Sequence, residues 1–285
     1  MTQVAPVTPA RVDALERLFP RAKPLIGMVH LEPLPGAPQY DGQSMRAIVD
    51  RAVEDARRYV EGGIDGLIVE NEGDIPFLKP DLVGPETVAA MSVITGAVVE
   101  AVSVPVGVLC LANATVQSLA IAKASGARFV RANQWANAYI ANEGFVEGSA
   151  ATALRFRAHI HARDIAVFAD VHVKHGSHSI IADRDIAQQT YDVEAFGADV
   201  LIATGRRTGD PTRQAEVREI AEAATRPVIV GSGLDANNAE SLLGLADGAI
   251  VGSAMKEGGV WWGRVSVERT RAIVDVVEGL RCEQT

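Results

Sequence analysis

Short runs of β-branched and aliphatic residues alternate with longer amphipathic stretches along almost the whole chain. We interpret the short runs as eight buried parallel strands, because strands that are covered on both faces have nearly continuous apolar sequences. The predicted strands span residues 25–30, 66–70, 106–109, 129–131, 166–173, 200–203, 228–230 and 249–251. Apolar residues recur with helical spacing between these strands, most clearly over residues 44–61, and they also predict a leading short helix over residues 9–19.

The segments that lead into the strands support this count. Four of them close a helix and open an even-numbered strand: Gly63-Ile64-Asp65-Gly66, Gly126-Ala127-Arg128, Gly197-Ala198-Asp199 and Ala246-Asp247-Gly248. Glycine at such a junction permits the left-handed conformation that often ends a helix. Pro105 and Pro227 each precede an odd-numbered strand, where no ladder hydrogen bond yet needs a donor.

Eight strands, each followed by a helix, predict a closed (β/α)8 barrel of the α/β class, the TIM barrel. A doubly wound open sheet is the alternative, and the regular alternation of eight units favours the barrel. The chain of 285 residues is close to the size of one barrel and contains no internal linker. We therefore assign a flexible N-terminus to residues 1–8 and a single barrel domain to residues 9–285.

One long apolar stretch needs a separate interpretation. Residues 87–112 contain one charged residue, Glu100, and are numerous enough to span a bilayer. Pro105 and Gly107 interrupt the stretch, which favours a buried helix followed by a barrel strand over a transmembrane segment. The apolar helix also offers a surface for a second subunit, so we expect a homo-oligomer.

The composition argues against several functional classes. A formal net charge of −9 disfavours a nucleic acid polymer as partner, because an acidic surface repels its phosphates. The two cysteines, Cys110 and Cys282, lie far apart in the sequence and predict neither a disulfide framework nor a structural zinc site. The first ten residues have no signal-peptide pattern, and we expect a cytoplasmic protein.

The last two predicted strands end in glycine and serine. The seventh runs into Gly231-Ser232-Gly233 and the eighth into Gly252-Ser253, with Lys256 close behind. In TIM barrels these two loops often bind phosphate, because glycine lets backbone N–H groups approach the anion closely. The alternative is that these glycines only form tight turns. Two such loops at adjacent strand ends favour a site for a phosphorylated small molecule.

The fifth predicted strand carries the clearest candidates for chemistry. If the strand runs to residue 173, Asp170, His172 and Lys174 share one face that points into the barrel, and Val171 and Val173 face outward. We predict acid–base roles for this row, because buried charges need either partners or a function. A structural ion pair of Asp170 with Lys174 or Arg131 is the alternative, and a Schiff base on Lys174 is a further one.

Other strand ends add polar side chains, as a barrel active site requires. We assign His30 and Glu70 to the catalytic set, and we assign substrate binding to Glu32, Asn71, Arg131, Asn133, Thr204 and Gly205. No cofactor is expected. His30, Glu32, Glu70, Asp170 and His172 include residue types that bind divalent metals, but their spacing matches no metal motif, so a metal stays unassigned.

Several of these motifs resemble the BtpA/SgcQ family. The opening motif Gly27-Met28-Val29-His30-Leu31-Glu32-Pro33-Leu34-Pro35-Gly36 is the most specific of them. The segments 170–175, 204–211, 231–233 and 246–258 are also similar to family motifs, and Ser266 departs from the family pattern, in which an acidic residue is usual. The resemblance implies a ribulose-phosphate-binding-like barrel. Some members are linked to photosystem I biogenesis or stability as peripheral membrane proteins, and others are described as nucleosidases or sugar-metabolism proteins.

Two functional hypotheses follow. The first is an enzyme that acts on a phosphorylated sugar or nucleoside as a hydrolase, isomerase or lyase, with cleavage of an N-glycosidic bond favoured. The second is a non-catalytic assembly or stability factor of the photosystem I type, for which peripheral membrane association rests on the resemblance alone. The concentration of polar residues at strand ends favours the enzyme.

Overall fold

The computed structural model describes residues 13–205 and 212–282, in which eight parallel strands close into a barrel. The barrel strands are β1 (Leu25–His30), β2 (Gly66–Glu70), β3 (Val106–Leu109), β4 (Phe129–Ala132), β7 (Ala166–Asp170), β9 (Val200–Ala203), β10 (Val228–Val230) and β11 (Gly248–Val251), paired in that order and closed by β11 against β1. The helices are α1 (Ala14–Leu18), α2 (Met45–Glu61), α3 (Pro85–Ala101), α4 (Thr115–Ser125), α5 (Ala150–His159), α6 (Ile186–Ala195), α7 (Gln214–Ala223), α8 (Ala239–Leu243) and α9 (Val267–Cys282). The predicted TIM barrel is therefore confirmed.

The interior of the barrel is closed at its amino-terminal end by an aromatic plug. Helix α1, which Asp13 caps, packs Phe19 edge-on against Phe129 of β4, at 6.0 Å between ring centres. Phe129 in turn stacks on Phe168 of β7 at 4.6 Å. Gly107 faces this plug, where a Cβ atom would approach the ring of Phe129 to 2.4 Å. Glycine at this position therefore makes room for the rings, and water is excluded from the floor of the barrel.

Three of the four predicted glycine junctions at the base of the barrel behave as their sequence predicts, whereas Gly248 of the fourth is not in the left-handed conformation. Gly63, Gly126 and Gly197 have φ values of 91°, 82° and 85°, the left-handed conformation in which glycine ends a helix at little cost. The acidic residues beside them have a second role, which sequence reasoning did not identify. The carboxylates of Asp65, Asp199 and Asp247 accept hydrogen bonds of 2.9, 2.9 and 2.8 Å from backbone N–H groups at the start of the neighbouring strands.

A small antiparallel sheet lies outside the predicted pattern. Strands β5 (Ala138–Ala141) and β6 (Gly144–Glu147) form a hairpin between β4 and α5, and the two-residue strand β8 (Gly176–Ser177) pairs with β5. The fourth barrel strand is thus followed first by a hairpin and only then by its helix. Tyr139 of this hairpin reaches the mouth of the barrel and becomes part of the candidate site.

The long apolar stretch forms helix α3 followed by strand β3, as predicted. Within residues 13–205 and 212–282, no helix combines the length and the apolar character that crossing a membrane requires. The fifth predicted strand is shorter than expected, because β7 ends at Asp170 and the chain then leaves the barrel wall. The predicted flexible segment 1–8 and the first residues of the helix predicted over 9–19 lie outside the described residues.

Candidate active site

A cavity of about 890 Å³ opens at the carboxyl ends of the barrel strands. Its floor is apolar and includes Met28 and Ile250, and its rim includes Tyr139 from the hairpin and Trp261 from the loop before α9. A deep, largely apolar pocket with a few converging polar groups is the usual form of a small-molecule site. Its position at the carboxyl ends is also where TIM barrels hold their active sites.

One side of this cavity is formed by the two glycine and serine loops. Gly231, Ser232, Gly233, Gly252 and Ser253, the five predicted phosphate-binding residues, all line it. Gly233 has a φ of 71°, which favours glycine, and Ser232 Oγ accepts a 3.2 Å hydrogen bond from the backbone N–H of Gly205. Arg269 of α9 lines the same side and donates to the carbonyl oxygen of Ala254 at 2.9 Å. We call this side of the cavity the glycine edge.

Next to the glycine edge lies a buried group of three ionisable side chains, and a Cβ atom at Gly252 would lie 3.2 Å from the His30 ring. His30 Nε2 lies 3.1 Å from Glu70 Oε2, where β1 and β2 end side by side. The other ring nitrogen of His30, Nδ1, lies 2.9 Å from Lys256 Nζ. Lys256 also donates to the carbonyl oxygen of Trp261 at 2.7 Å. Lys256 was a candidate to assist phosphate binding, but its amine contacts His30 beneath the cavity wall and is not among the residues that line the described cavity.

Glu70 and the neighbouring Glu72 have opposite tendencies to ionise. Burial alone would raise the pKa of Glu70, but the hydrogen bond from His30, the charge of that ring when it is protonated, and the charges of Arg131 and Lys174 outweigh burial and hold the pKa below its usual value. Burial and the adjacent charge of Glu70 raise the pKa of Glu72 to about 8. At neutral pH, Glu70 is therefore ionised and Glu72 is largely protonated, which is a division of roles that acid–base catalysis uses.

Positive charge reaches the cavity from two further residues. Arg131 ends β4, Lys174 follows β7, and both line the cavity together with Asn133. Burial and the neighbouring charge of Arg131 lower the pKa of Lys174. A lysine of this kind can give up a proton more readily than one in water. The cavity thus brings an ionised carboxylate, a protonated carboxyl, a guanidinium and a buried amine to one place.

Asp170, the central residue of the predicted catalytic row, is held by other side chains. Both of its carboxylate oxygens accept hydrogen bonds of 3.0 Å from the guanidinium of Arg131. Asn133 Nδ2 donates to it at 3.4 Å, and the Thr204 hydroxyl donates as well. The ion pair with Arg131, which the sequence left as an alternative, is therefore formed. Asp170 orients the cavity residue Arg131 and is not itself among the residues that line the described cavity.

His172 faces a different way from that expected. Its Nδ1 lies 3.1 Å from Gln189 Oε1 on α6, and its ring stacks on His178 at 3.7 Å between ring centres. Val173, which was expected to face outward, lines the cavity instead. The expected alternation fails because β7 ends at Asp170, and side chains alternate only while the backbone stays extended. His172 is therefore not among the residues that line the described cavity, and its catalytic role stays a prediction.

The remaining predicted substrate-binding residues serve the surroundings of the cavity. Glu32 forms a 2.8 Å ion pair with Arg51, and Asn71 Oδ1 accepts a 2.7 Å hydrogen bond from the backbone N–H of Leu111. Thr204 and Gly205 contact Asp170 and Ser232, as described above. None of these four belongs to the cavity lining found in the described residues. Arg206 and the rest of that motif, through residue 211, lie outside the described residues.

Among residues 13–205 and 212–282, no three His, Cys, Asp or Glu side chains are grouped so that they could hold a metal ion. Cys110 follows β3 and is buried, and burial raises the pKa of its thiol to about 12. This thiol is consequently a poor nucleophile at neutral pH.

Sequence reasoning missed two contributors to the site, Glu72 and Tyr139. It placed Lys256 beside the phosphate loops and did not foresee its contact with His30. A signal was present for Glu72, which follows Glu70 by two residues and so continues toward the same end of the barrel. Tyr139 could have been found through its hairpin, whose two strands flank the turn residues Asn142 and Glu143.

Comparisons with known proteins agree with this architecture. The model of the BtpA family matches residues 21–279. An uncharacterized protein of Pyrococcus abyssi is 42% identical over 262 residues, which are 92% of this chain and 98% of that protein. The photosystem I biogenesis protein BtpA of Synechocystis is 35% identical over 269 residues, covering 94% and 92% of the two chains. Among solved structures, thiamine phosphate pyrophosphorylase from Pyrococcus furiosus has the same fold, with a TM-score of 0.57, 17% identity and coverage of 90% and 96%.

Proposed function

The chain belongs to the BtpA family, and we propose that it is an enzyme that acts on a phosphorylated sugar or nucleoside by acid–base catalysis. The observation that carries this proposal is the pair of glutamates, Glu70 and Glu72, whose pKa values move in opposite directions within one cavity. Pairs of ionisable groups whose surroundings separate their pKa values are typical of acid and base partners in catalysis. Such groups are costly to bury, and a purely structural barrel has no need of them.

The glycine edge supplies the subsite for the phosphate. Gly233 and Gly252 line the cavity without a side chain that would keep an anion from the backbone, and Arg269 adds positive charge on the same side. The sugar then extends across the cavity toward Glu70 and Glu72, with its outer end under Tyr139. This orientation separates the anion from the ionised Glu70 and places the reacting carbons next to the acid–base pair.

Cleavage of an N-glycosidic bond uses this arrangement most directly. Glu72, protonated at neutral pH, donates a proton to the departing base as the C–N bond breaks, while the Glu70 carboxylate stabilises the positive charge that develops on the sugar. A water molecule then forms the new bond to the anomeric carbon and gives its proton to Glu70. Isomerisation or retro-aldol cleavage uses the same two residues. In those reactions Glu70 removes a proton, and Lys174 or Arg131 stabilises the negative charge on the substrate oxygen.

A non-catalytic role is the competing hypothesis, suggested by the name of the Synechocystis relative, a photosystem I biogenesis protein. A scaffold role would tolerate the neutralisation of both glutamates. An enzyme would not, and substitutions at these positions therefore distinguish the two hypotheses.

The test begins with binding. Melting temperature is measured with inorganic phosphate, sugar phosphates, nucleotides and their unphosphorylated counterparts, because a ligand of the folded state raises it with concentration. We expect one phosphorylated class to raise it, and Gly233→Asp to abolish the rise by straining the backbone and adding negative charge. If every compound leaves the melting temperature unchanged, the proposal fails.

Turnover of the class that binds is measured next. Glu70→Gln and Glu72→Gln should each lower kcat by roughly 100-fold or more, the usual contribution of an acid–base group. Glu32→Gln is the matched control, since it makes the same change at a strand end outside the cavity and should retain activity. Equal turnover in all three variants would remove Glu70 and Glu72 from the mechanism, and no turnover by the wild type would argue for the scaffold.

A further inference from the structure

Lys256 is a buried lysine with an unusual partner. Only 1% of the residue is exposed, and it follows the short turn Ser253–Met255 after β11. Its amine is 2.9 Å from His30 Nδ1 and 2.7 Å from the carbonyl oxygen of Trp261. Lysines are rarely buried so completely unless a carboxylate pairs with them, and here the contacts at hydrogen-bond distance are an imidazole and a carbonyl.

The contact with His30 determines which ring nitrogen carries the proton. An ammonium group has donors and no acceptor, so Nδ1 must offer its lone pair to Lys256. The proton of the neutral ring is then on Nε2, which lies 3.1 Å from Glu70 Oε2 and donates to it. We propose that Lys256 is a positioning residue that holds His30 in its neutral, Nε2-protonated form.

The surroundings of His30 explain why this control is needed. The carbonyl oxygen of Trp261 lies 3.1 Å from Nδ1, so a proton on Nδ1 would also find an acceptor. Without Lys256, the carbonyl oxygen of Trp261 would accept a proton from Nδ1 and the Glu70 carboxylate would accept one from Nε2. These two acceptors would together favour the doubly protonated imidazolium. Lys256 prevents this by occupying Nδ1 with a donor and by its positive charge, and together with burial it lowers the pKa of His30.

Other charged groups act on the ring from a greater distance. Glu72, Arg131 and Lys174 line the same cavity as His30, but the described ring nitrogens contact Glu70, Lys256 and Trp261. Burial lowers the pKa of Lys256 to about 8, so its amine still carries a proton at neutral pH. The proposed arrangement therefore holds at the pH at which most assays are made.

The consequence for the reaction concerns Glu70, and this step rests on the proposed function. A neutral His30 gives Glu70 one hydrogen bond, whereas an imidazolium would add a full positive charge at the same distance. That charge would hold Glu70 in its ionised form and weaken it as a base. By keeping His30 neutral, Lys256 preserves the basicity of Glu70 without touching the substrate.

The experiment observes the ring directly and needs no substrate. Protein labelled with ¹⁵N-histidine is studied by NMR between pH 6 and 8, and the signals of His30 are assigned with His30→Gln. In the wild type we expect Nδ1 unprotonated and Nε2 protonated. In Lys256→Met the lowering effect of the Lys256 charge on the pKa of His30 is gone, so we expect a larger fraction of the rings to carry a proton on Nδ1 than in the wild type at every pH in this range.

Two further variants control for nonspecific effects. Lys256→Arg keeps the donors and the charge and should retain the neutral ring. Lys174→Met removes another amine of the site that has no described contact with His30, and should leave the ring as in the wild type. A proton on Nδ1 in the wild type, or an unchanged ring in Lys256→Met, would overturn the proposal. If Lys256→Met does not fold, the wild-type spectrum still decides, and neither result depends on whether a substrate has been found.

Discussion

Removal of the Asp170 carboxylate tests whether its main role is to hold Arg131. In Asp170→Ala the guanidinium of Arg131 loses two hydrogen bonds of 3.0 Å in a region where both side chains are almost fully buried. Loss of one partner from a buried ion pair usually costs about 3–5 kcal/mol of folding free energy, because the other charge is left without compensation. Arg131 also faces the carboxyl groups of the cavity, so we expect about 3 kcal/mol.

Urea unfolding followed by circular dichroism measures this loss. With a slope near 3 kcal/mol per molar urea, the midpoint should fall by roughly 1 M. The cycle is completed with Arg131→Met and with the double variant. In this double-mutant cycle, the double variant leaves neither member of the pair without its partner. Its loss of unfolding free energy should therefore be smaller than the sum of the losses in the two single variants, by about 2–3 kcal/mol.

A matched control comes from an exposed pair. Arg46 and Asp50 form a 2.8 Å ion pair on the surface of α2, and Asp50→Ala should leave the midpoint nearly unchanged because water screens such pairs. If Asp170→Ala behaves like Asp50→Ala, or if the two losses in the Arg131–Asp170 cycle simply add, the structural role assigned to Asp170 is refuted.

Three other predictions concern pH, packing and thiol reactivity. Burial raises the pKa of Glu72 to about 8, so the folded state keeps a proton on this carboxyl group at pH values where the unfolded chain has lost it. The free energy of unfolding should therefore fall as the pH rises from about 4.3 to about 8. Urea titrations should show a smaller fall in Glu72→Gln. Gly107→Ala should lower the free energy of unfolding by about 1–3 kcal/mol, because the added methyl group overpacks the aromatic plug. Gly96→Ala lies in α3 with open space around it and should raise that free energy by up to about 1 kcal/mol. Thermal unfolding measures both changes. Cys282, which is exposed, should be alkylated well before buried Cys110, as mass spectrometry of quenched samples would detect.

The barrel could be predicted from the sequence in detail because each of its signals is local. Apolar runs bounded by glycine or proline gave the exact limits of five strands, and two others differ from the prediction by one residue at one end. The hairpin β5–β6 was not predicted, because the expectation of a helix after every strand outweighed a short alternating pattern. The end of β7 was also misplaced, since nothing in the alternating sequence of residues 166–173 shows where neighbouring strands stop providing partners.

The candidate site was predictable where barrel geometry alone decides the outcome. Strand ends meet at one rim, so His30, Glu70, Arg131 and the glycine edge were found from their positions in the sequence. The role of Lys256 was not predictable, because it depends on a contact between residues 226 positions apart. The protonation of Glu72 was beyond sequence reasoning for a similar reason, since the effect of burial on a pKa depends on the folded environment.

The height at which the barrel interior changes from apolar to charged connects its stability with its chemistry. On four strands the change occurs between one interior residue and the next: Met28 to His30, Ile68 to Glu70, Phe129 to Arg131 and Phe168 to Asp170. This layer of ionisable residues therefore rests on a floor of buried apolar side chains. That floor makes the Arg131–Asp170 pair costly to break, and the same burial raises the pKa of Glu72 and lowers that of Lys256. Substitutions that admit water to the floor should for this reason weaken the ion pair and return both pKa values toward their ordinary range.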